Sequence, residues 1–151
     1  MRLESHLFKI IIENTPLISI DLIVRDYNHK VLLGRRQNRP AKNFWFVPGG
    51  RVLKDEPLEE AFKRITFEEL GRQYYSREAN FLGIYEHFYN DNFFNSEFTT
   101  HYIVLGYEIN LSEVTLDLPT IQHDTYKWFD VDMLLKSAIV HPYTKNYFSP
   151  R

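Results

Sequence analysis

Across residues 50–71 a glycine-led loop runs directly into a helical pattern, and the fixed letters of that stretch constrain the fold more than any other part of the chain. Pro48-Gly49-Gly50 ends the apolar run Phe44–Val47 with strong turn punctuation. From Pro57 onward, Leu58, Ala61, Phe62, Ile65 and Leu70 recur at spacings of three to five, which predicts a helix over 57–70. Pro57 suits a first helical position, because the N–H it lacks is one a helix leaves unpaired there. Gly71 suits the C-terminal cap, where a left-handed backbone strains a residue without Cβ least.

Strand-like runs lie on both sides of this unit. Residues Glu4–Glu13 read as a short amphipathic helix ended by Asn14-Thr15-Pro16, since Pro disfavours helix in the residue before it. Leu17–Val24 reads as a strand, Asp26–His29 as a turn, and Val31–Leu33 as its hairpin partner. Strand patterns return at Asn80–Tyr89 and Thr100–Asn110, separated by the polar, aromatic stretch Asn90–Phe98. A last strand at Tyr126–Phe129 leads into a helix capped by Asp130 or Asp132. This order is a mixed α/β layout without the regular alternation of a doubly wound sheet. With 151 residues and no repeat or linker, residues 1–151 are expected to form one domain.

Composition narrows the function classes. An aromatic share of 16% supplies a core with ring area left for a binding surface. A net charge of −2 gives no global basic field, so neither nucleic acid nor an anionic membrane is an expected partner. The absence of Cys excludes a disulfide framework, a thiolate nucleophile and a Cys-based metal site. No apolar run is long enough to span a bilayer, and Glu4 and His6 interrupt the N-terminus where a signal peptide would be apolar. The expectation is a soluble, cytoplasmic, enzyme-sized domain.

Positions 65, 68 and 69 are three or four apart and share a helix face. Carboxylates there would suit Mg²⁺, which binds through one or two carboxylates together with substrate phosphates. Gly49 and Gly50 let the backbone approach such an ion, and Arg64 could pair with Glu56 or Glu60 to brace the loop on the helix. A solvated acidic helix would also carry Glu68-Glu69. The complete loop–helix pattern favours the functional alternative.

That pattern resembles the Nudix box: Gly50, Glu56, Arg64, Glu68, Glu69 and Gly71 fall at matching positions. The resemblance implies the Nudix fold, a central mixed β-sheet sandwiched between helices. Ile65 departs from the box, which has a Glu there, and this removes charge from the site. Thr66 and Arg72 stand where aliphatics are usual. Beyond the box, Asn38–Ala41, Phe44–Val52, Glu86–Tyr89, Phe98–Tyr102 and Gln122–Asp124 resemble the GDP-mannose mannosyl hydrolase branch, whose box has lost the same Glu. The likeness runs from Thr15 to about Trp128, leaving the C-terminal tail without an echo.

The resemblance implies hydrolysis of GDP-mannose, or GDP-glucose, to GDP and free hexose by water attack at the anomeric carbon with inversion. It implies one Mg²⁺ held by the Gly49 carbonyl, Glu69 and Gln122. His123 would be the general base with Asp21 nearby, while Arg36, Arg51 and Tyr102 would stabilise charge on departing GDP. Phe8, Arg39 and His87 are further candidates for substrate contact, and family members that pair suggest a homodimer. Two rivals stay open: a pyrophosphohydrolase that cuts the diphosphate of a nucleoside diphosphate derivative, and a nucleotide-sugar-binding module without turnover.

Overall fold

The computed structural model describes residues 3–111 and 123–149, with the backbone alone for His123 and Asp124. Helix α1 spans Ser5–Asn14, and its cap is local: the Glu4 carboxylate accepts from the His6 and Leu7 N–H groups at 2.7 and 3.2 Å. Strands β1 (Leu17–Arg25) and β2 (Val31–Arg36) follow, then the short strands β3 (Trp45–Phe46) and β4 (Gly49–Arg51). Helix α2 covers Leu58–Leu70 with Pro57 at the N-cap and Gly71 at φ 75° as the left-handed C-cap. Next come β5 (Asn80–Tyr89), β6 (Thr100–Asn110), β7 (His123–Phe129), α3 (Val131–Lys136) and α4 (Pro142–Lys145). Asp130 occupies the cap of α3, although its side chain makes no capping hydrogen bond.

Sheet pairing corrects two sequence expectations. Strands β1 and β2 form a hairpin only at its turn end, where Arg25 pairs with Val31. Beyond that point β2 runs antiparallel to β7 and β3, while β1 pairs parallel with β6 along its whole length. The edge of β1 left open is taken by β4, with Ser19, Ile20 and Asp21 opposite Arg51, Gly50 and Gly49. The second correction follows: Gly49-Gly50, expected as a turn, is strand. Glycine is required by the close approach of two backbones, since a Cβ on Gly49 would lie 2.5 Å from both the Ile20 carbonyl oxygen and Asp21 Oδ1.

Period-2 alternation fills two cores on opposite faces. On one, Ile20, Leu22 and Val24 of β1 and Leu32 of β2 pack on Ala61, Phe62, Ile65 and Leu70 of α2. On the other, Ile23, Val31 and Leu33 pack on Phe129, Leu134 of α3 and Val140. Each fully buried aliphatic or Phe side chain here contributes about 1.5–3 kcal/mol relative to exposure. The result is the expected mixed sheet between helices, and the gap between β1 and β2, lined by β4 and the end of α2, is where the polar residues collect.

Candidate active site

Helix α2 sorts its carboxylates by direction. Glu69 points inward and is 4% exposed, with Oε1 accepting from the Gly49 N–H at 3.3 Å. Glu68, one residue earlier and about 100° around the helix, is exposed and pairs with Arg64 at 3.1 Å. The expected cluster of both carboxylates is therefore not assembled, because α2 buries Ala61, Phe62, Ile65, Thr66, Glu69 and Leu70 and leaves Glu68 on the outside. Ile65 is fully buried in that stripe, and its Cγ1 lies 3.1 Å from where a Cβ on Gly50 would stand. The position of the usual carboxylate is thus part of the core. Thr66 is also buried, donating to the Lys63 carbonyl and accepting from the Tyr74 N–H.

Arg64 braces the loop. Its Nε and one terminal nitrogen reach Glu56 at 2.7 and 2.9 Å, and that nitrogen also donates to the Arg51 carbonyl at 2.7 Å. Arg64 thereby holds the Glu56 carboxyl below its usual range, helped by the Leu53 N–H. Glu60, the alternative partner in the sequence, pairs with Lys63 instead.

Asp21 sits on β1 opposite Gly49, and its carboxylate faces Glu69, Arg36 and Tyr147. Tyr147 donates to Asp21 Oδ2 at 2.5 Å. Burial dominates the titration and pushes the Asp21 carboxyl up to about 7, with Glu69 adding to the rise and Tyr147 and Arg36 opposing it. Arg36, at the end of β2, donates from Nε to the Pro40 carbonyl and lies over the Phe46 ring. Arg51 lies over the Phe8 ring, 4.5 Å from its centroid. Tyr102 lies between the fields of both arginines, and burial raises its hydroxyl so that it stays protonated. Asp21, Arg36, Arg51, Tyr102, Gly49 and Glu69 thus share one cleft. The β7 backbone carries His123 into register with Arg36, while Gln122 lies outside the described residues.

Three expected contact residues have distinct settings. Phe8 meets Phe93 and Phe94 at ring distances of 6.3 and 6.1 Å. Those two belong to a loop folded around Asn92, which is fully buried and bonds the backbone at Phe94, Asn95 and Phe98. Arg39 reaches the same loop, donating to Ser96 Oγ at 3.1 Å and facing Asp91 at 3.9 Å. His87 is buried and stacked on Tyr143, with centroids 4.4 Å apart and rings 8° from parallel. Burial, then His141, lowers the His87 imidazole to about 4.

That shift carries a test. Unfolding returns His87 to its usual 6.5, so between about 6.5 and 4 the unfolded chain binds the extra proton and His87 costs stability as pH falls. Asp21 works in the opposite direction over much of this range, so the informative quantity is a difference. From pH 7 to 4.5, urea unfolding should show wild type losing about 2–3 kcal/mol relative to His87→Gln. A difference that does not change with pH would contradict a buried neutral His87.

Sequence reasoning missed the C-terminal contribution. Tyr147 bonds Asp21, Tyr143 stacks on His87, and His141 stacks on Phe46 at 4.6 Å. The signal available was compositional: His141-Pro-Tyr-Thr-Lys-Asn-Tyr-Phe148 is rich in rings and poor in aliphatics.

Among the described residues no three His, Asp or Glu side chains converge as a metal site of protein ligands alone. A buried carboxylate at Glu69 beside the half-buried backbone of a glycine strand nevertheless fits Mg²⁺, which keeps few protein ligands and takes the rest from water and phosphate.

Comparison with known proteins agrees with this geometry. The NUDIX domain family model matches residues 15–148. The chain is 36% identical over 146 residues to the low-salt glycan biosynthesis protein Agl8 of Haloferax volcanii, covering 97% of this chain and 88% of that one. It is 37% identical over 70 residues to the ADP-ribose pyrophosphatase of Methanocaldococcus jannaschii, covering 46% of this chain and 40% of that one. Among solved structures, the MutT protein of Methanosarcina mazei Go1 superposes with a TM-score of 0.70 at 22% identity, covering 89% and 92% of the two chains. A sheet split around a glycine strand, with the box loop braced on α2 by Arg64 and a family match over most of its length, places this chain in the NUDIX family of hydrolases.

Proposed function

We propose that this Nudix hydrolase uses Mg²⁺, one ion per site, to cleave GDP-mannose, and by the same route GDP-glucose, into GDP and free hexose. The observation that carries the reading is the burial of Ile65 against Gly50, together with the diversion of Glu68 to Arg64. Attack at phosphorus in the Nudix manner relies on a cluster of box carboxylates, and here α2 directs only Glu69 into the cleft. Displacement at carbon makes a smaller demand, because the charge that grows in its transition state lies on the leaving diphosphate.

The chain's groups divide that work. His123 accepts a proton from water as the new C–O bond forms, and Asp21 offers a second acceptor to hold that water. The bond from the anomeric carbon to the diphosphate breaks, and its electron pair leaves on GDP. Arg36, Arg51 and the neutral Tyr102 hydroxyl stabilise that charge, so no acid need protonate it. Glu69, the Gly49 carbonyl and Gln122 would hold Mg²⁺, which when bound supplies Lewis acidity to the diphosphate oxygens. Phe8 beside Arg51 suits a nucleobase, Arg39 reaches the loop on which Phe8 packs, and His87 stands stacked on Tyr143. Exposed Leu7, Ile10, Ile18 and Ile84 are apolar area that a homodimer would bury.

The relative named for glycan biosynthesis favours a nucleotide-sugar substrate. The relative named as ADP-ribose pyrophosphatase favours a second reading, diphosphate cleavage. Product identity separates them: GDP and mannose fit the proposal, whereas GMP and mannose 1-phosphate would move the chain to the second reading. Binding of GDP-mannose with neither product would make it a sensing module.

A further inference from the structure

We propose that Tyr147 is a positioning residue for the reaction, its hydroxyl locking Asp21 Oδ2 so that only Oδ1 faces the Gly49 side of the cleft. The inference rests on the proposed cleavage at this site and concerns the C-terminal segment, which the family model covers up to residue 148. Asp21 has two equivalent oxygens and lies near both Glu69 and Arg36, so its carboxylate could turn either oxygen to the site. One fixed donor removes that freedom. The bond from Tyr147 is 2.5 Å, while Oδ1 lies against the bare backbone of Gly49. A carboxylate held in this way keeps one acceptor in one place, which is what orienting a water or a sugar hydroxyl requires.

Tyr147 is itself held. Its ring packs edge-on against Tyr85 with centroids 4.6 Å apart, and it lies over Gly106, where any Cβ would come within 3.1 Å of it. Burial and the Asp21 charge raise its hydroxyl well above the usual tyrosine range, so it remains a donor. The segment that carries it does not depend on this bond. Trp45 donates to the Ile139 carbonyl and accepts from the His141 N–H, at 2.8 and 3.1 Å. The Tyr143 hydroxyl bonds both the N–H and the carbonyl of Phe88 at 2.9 Å, and Thr144 is fully buried. Removing the Tyr147 hydroxyl should therefore leave the arm docked.

Tyr147→Phe, Asp21→Asn and the double variant test this with GDP-mannose and Mg²⁺. Tyr147→Phe should lower kcat roughly ten- to a hundredfold with KM within about twofold, as misplacement of an orienting group does. Its melting temperature should stay near that of wild type. Added to Asp21→Asn, the same change should cost nothing further, since Tyr147 acts only through Asp21. A downfield hydroxyl proton in the NMR spectrum of the free protein should disappear in Tyr147→Phe and move in Asp21→Asn. An unchanged kcat in Tyr147→Phe, or a loss that simply adds to that of Asp21→Asn, would overturn the positioning role alone. Wild type that releases no GDP would overturn the underlying reading and this inference with it.

Discussion

Replacing Glu69 by Gln should reduce Mg²⁺-dependent turnover by about a hundredfold or more while leaving the fold intact. The carboxamide has the shape of the carboxylate and can still accept from the Gly49 N–H, so the 3.3 Å contact survives. What disappears is the one charged box carboxylate that α2 buries, 4% exposed at the end of the helix. Stability should not fall, because Glu69 is an unfavourable neighbour for Asp21 and raises its carboxyl. Burying one like charge fewer relieves that repulsion. The signature is thus lost activity at an unchanged or higher melting temperature, partly recovered at raised Mg²⁺. Near-normal rates at ordinary Mg²⁺ would remove Glu69 as a ligand.

Arg64→Ala should be the most damaging substitution outside the core, costing about 2–4 kcal/mol of stability. It takes both bonds from Glu56, which is mostly buried, and the donor from the Arg51 carbonyl. The figure sits below that of a fully buried pair because the Arg64 side chain keeps 28% exposure. Arg51 should lose its register over Phe8 as the loop loosens, so kcat/KM should drop as well. Arg64→Lys should restore little, since an ammonium cannot span both Glu56 oxygens and the carbonyl. The Glu56 carboxyl is held below its unfolded value of 4.5, so this stabilisation is present above that pH and is lost as pH falls through the lower, folded value. The gap between wild type and Arg64→Ala should accordingly narrow in acid. A melting temperature within 2 °C of wild type, a shift of about 1 kcal/mol or less at this size, would contradict the brace.

What was legible in the sequence was local. The helix expected over 57–70 has its periodicity, its Pro57 entry and its Gly71 stop within one short window; the structure forms it over 58–70 with Gly71 as the cap, and shifts Pro57 by one position, from first helical residue to N-cap. Alternation along β1 and β2 likewise announced two buried faces. The errors arose where a distant segment competes. Strand β1 gives its edge to β4 rather than to the neighbouring β2, and Gly49-Gly50 is strand because β1 lies beside it. Glu68 and Glu69 looked equivalent by spacing, but the side of α2 that meets the sheet separates them. Tyr147 reaches Asp21 across 126 positions, and no short-range pattern encodes such a contact.

The central claim is that water attacks carbon, and GDP release alone does not establish it, because attack on the phosphorus next to the sugar gives the same products. Turnover of GDP-mannose with Mg²⁺ in ¹⁸O-labelled water separates the two, with both products weighed by mass spectrometry within minutes, before free mannose exchanges its anomeric oxygen. Carbon attack puts the label in mannose and leaves GDP unlabelled. Label in GDP, or in GMP or mannose 1-phosphate, would contradict it.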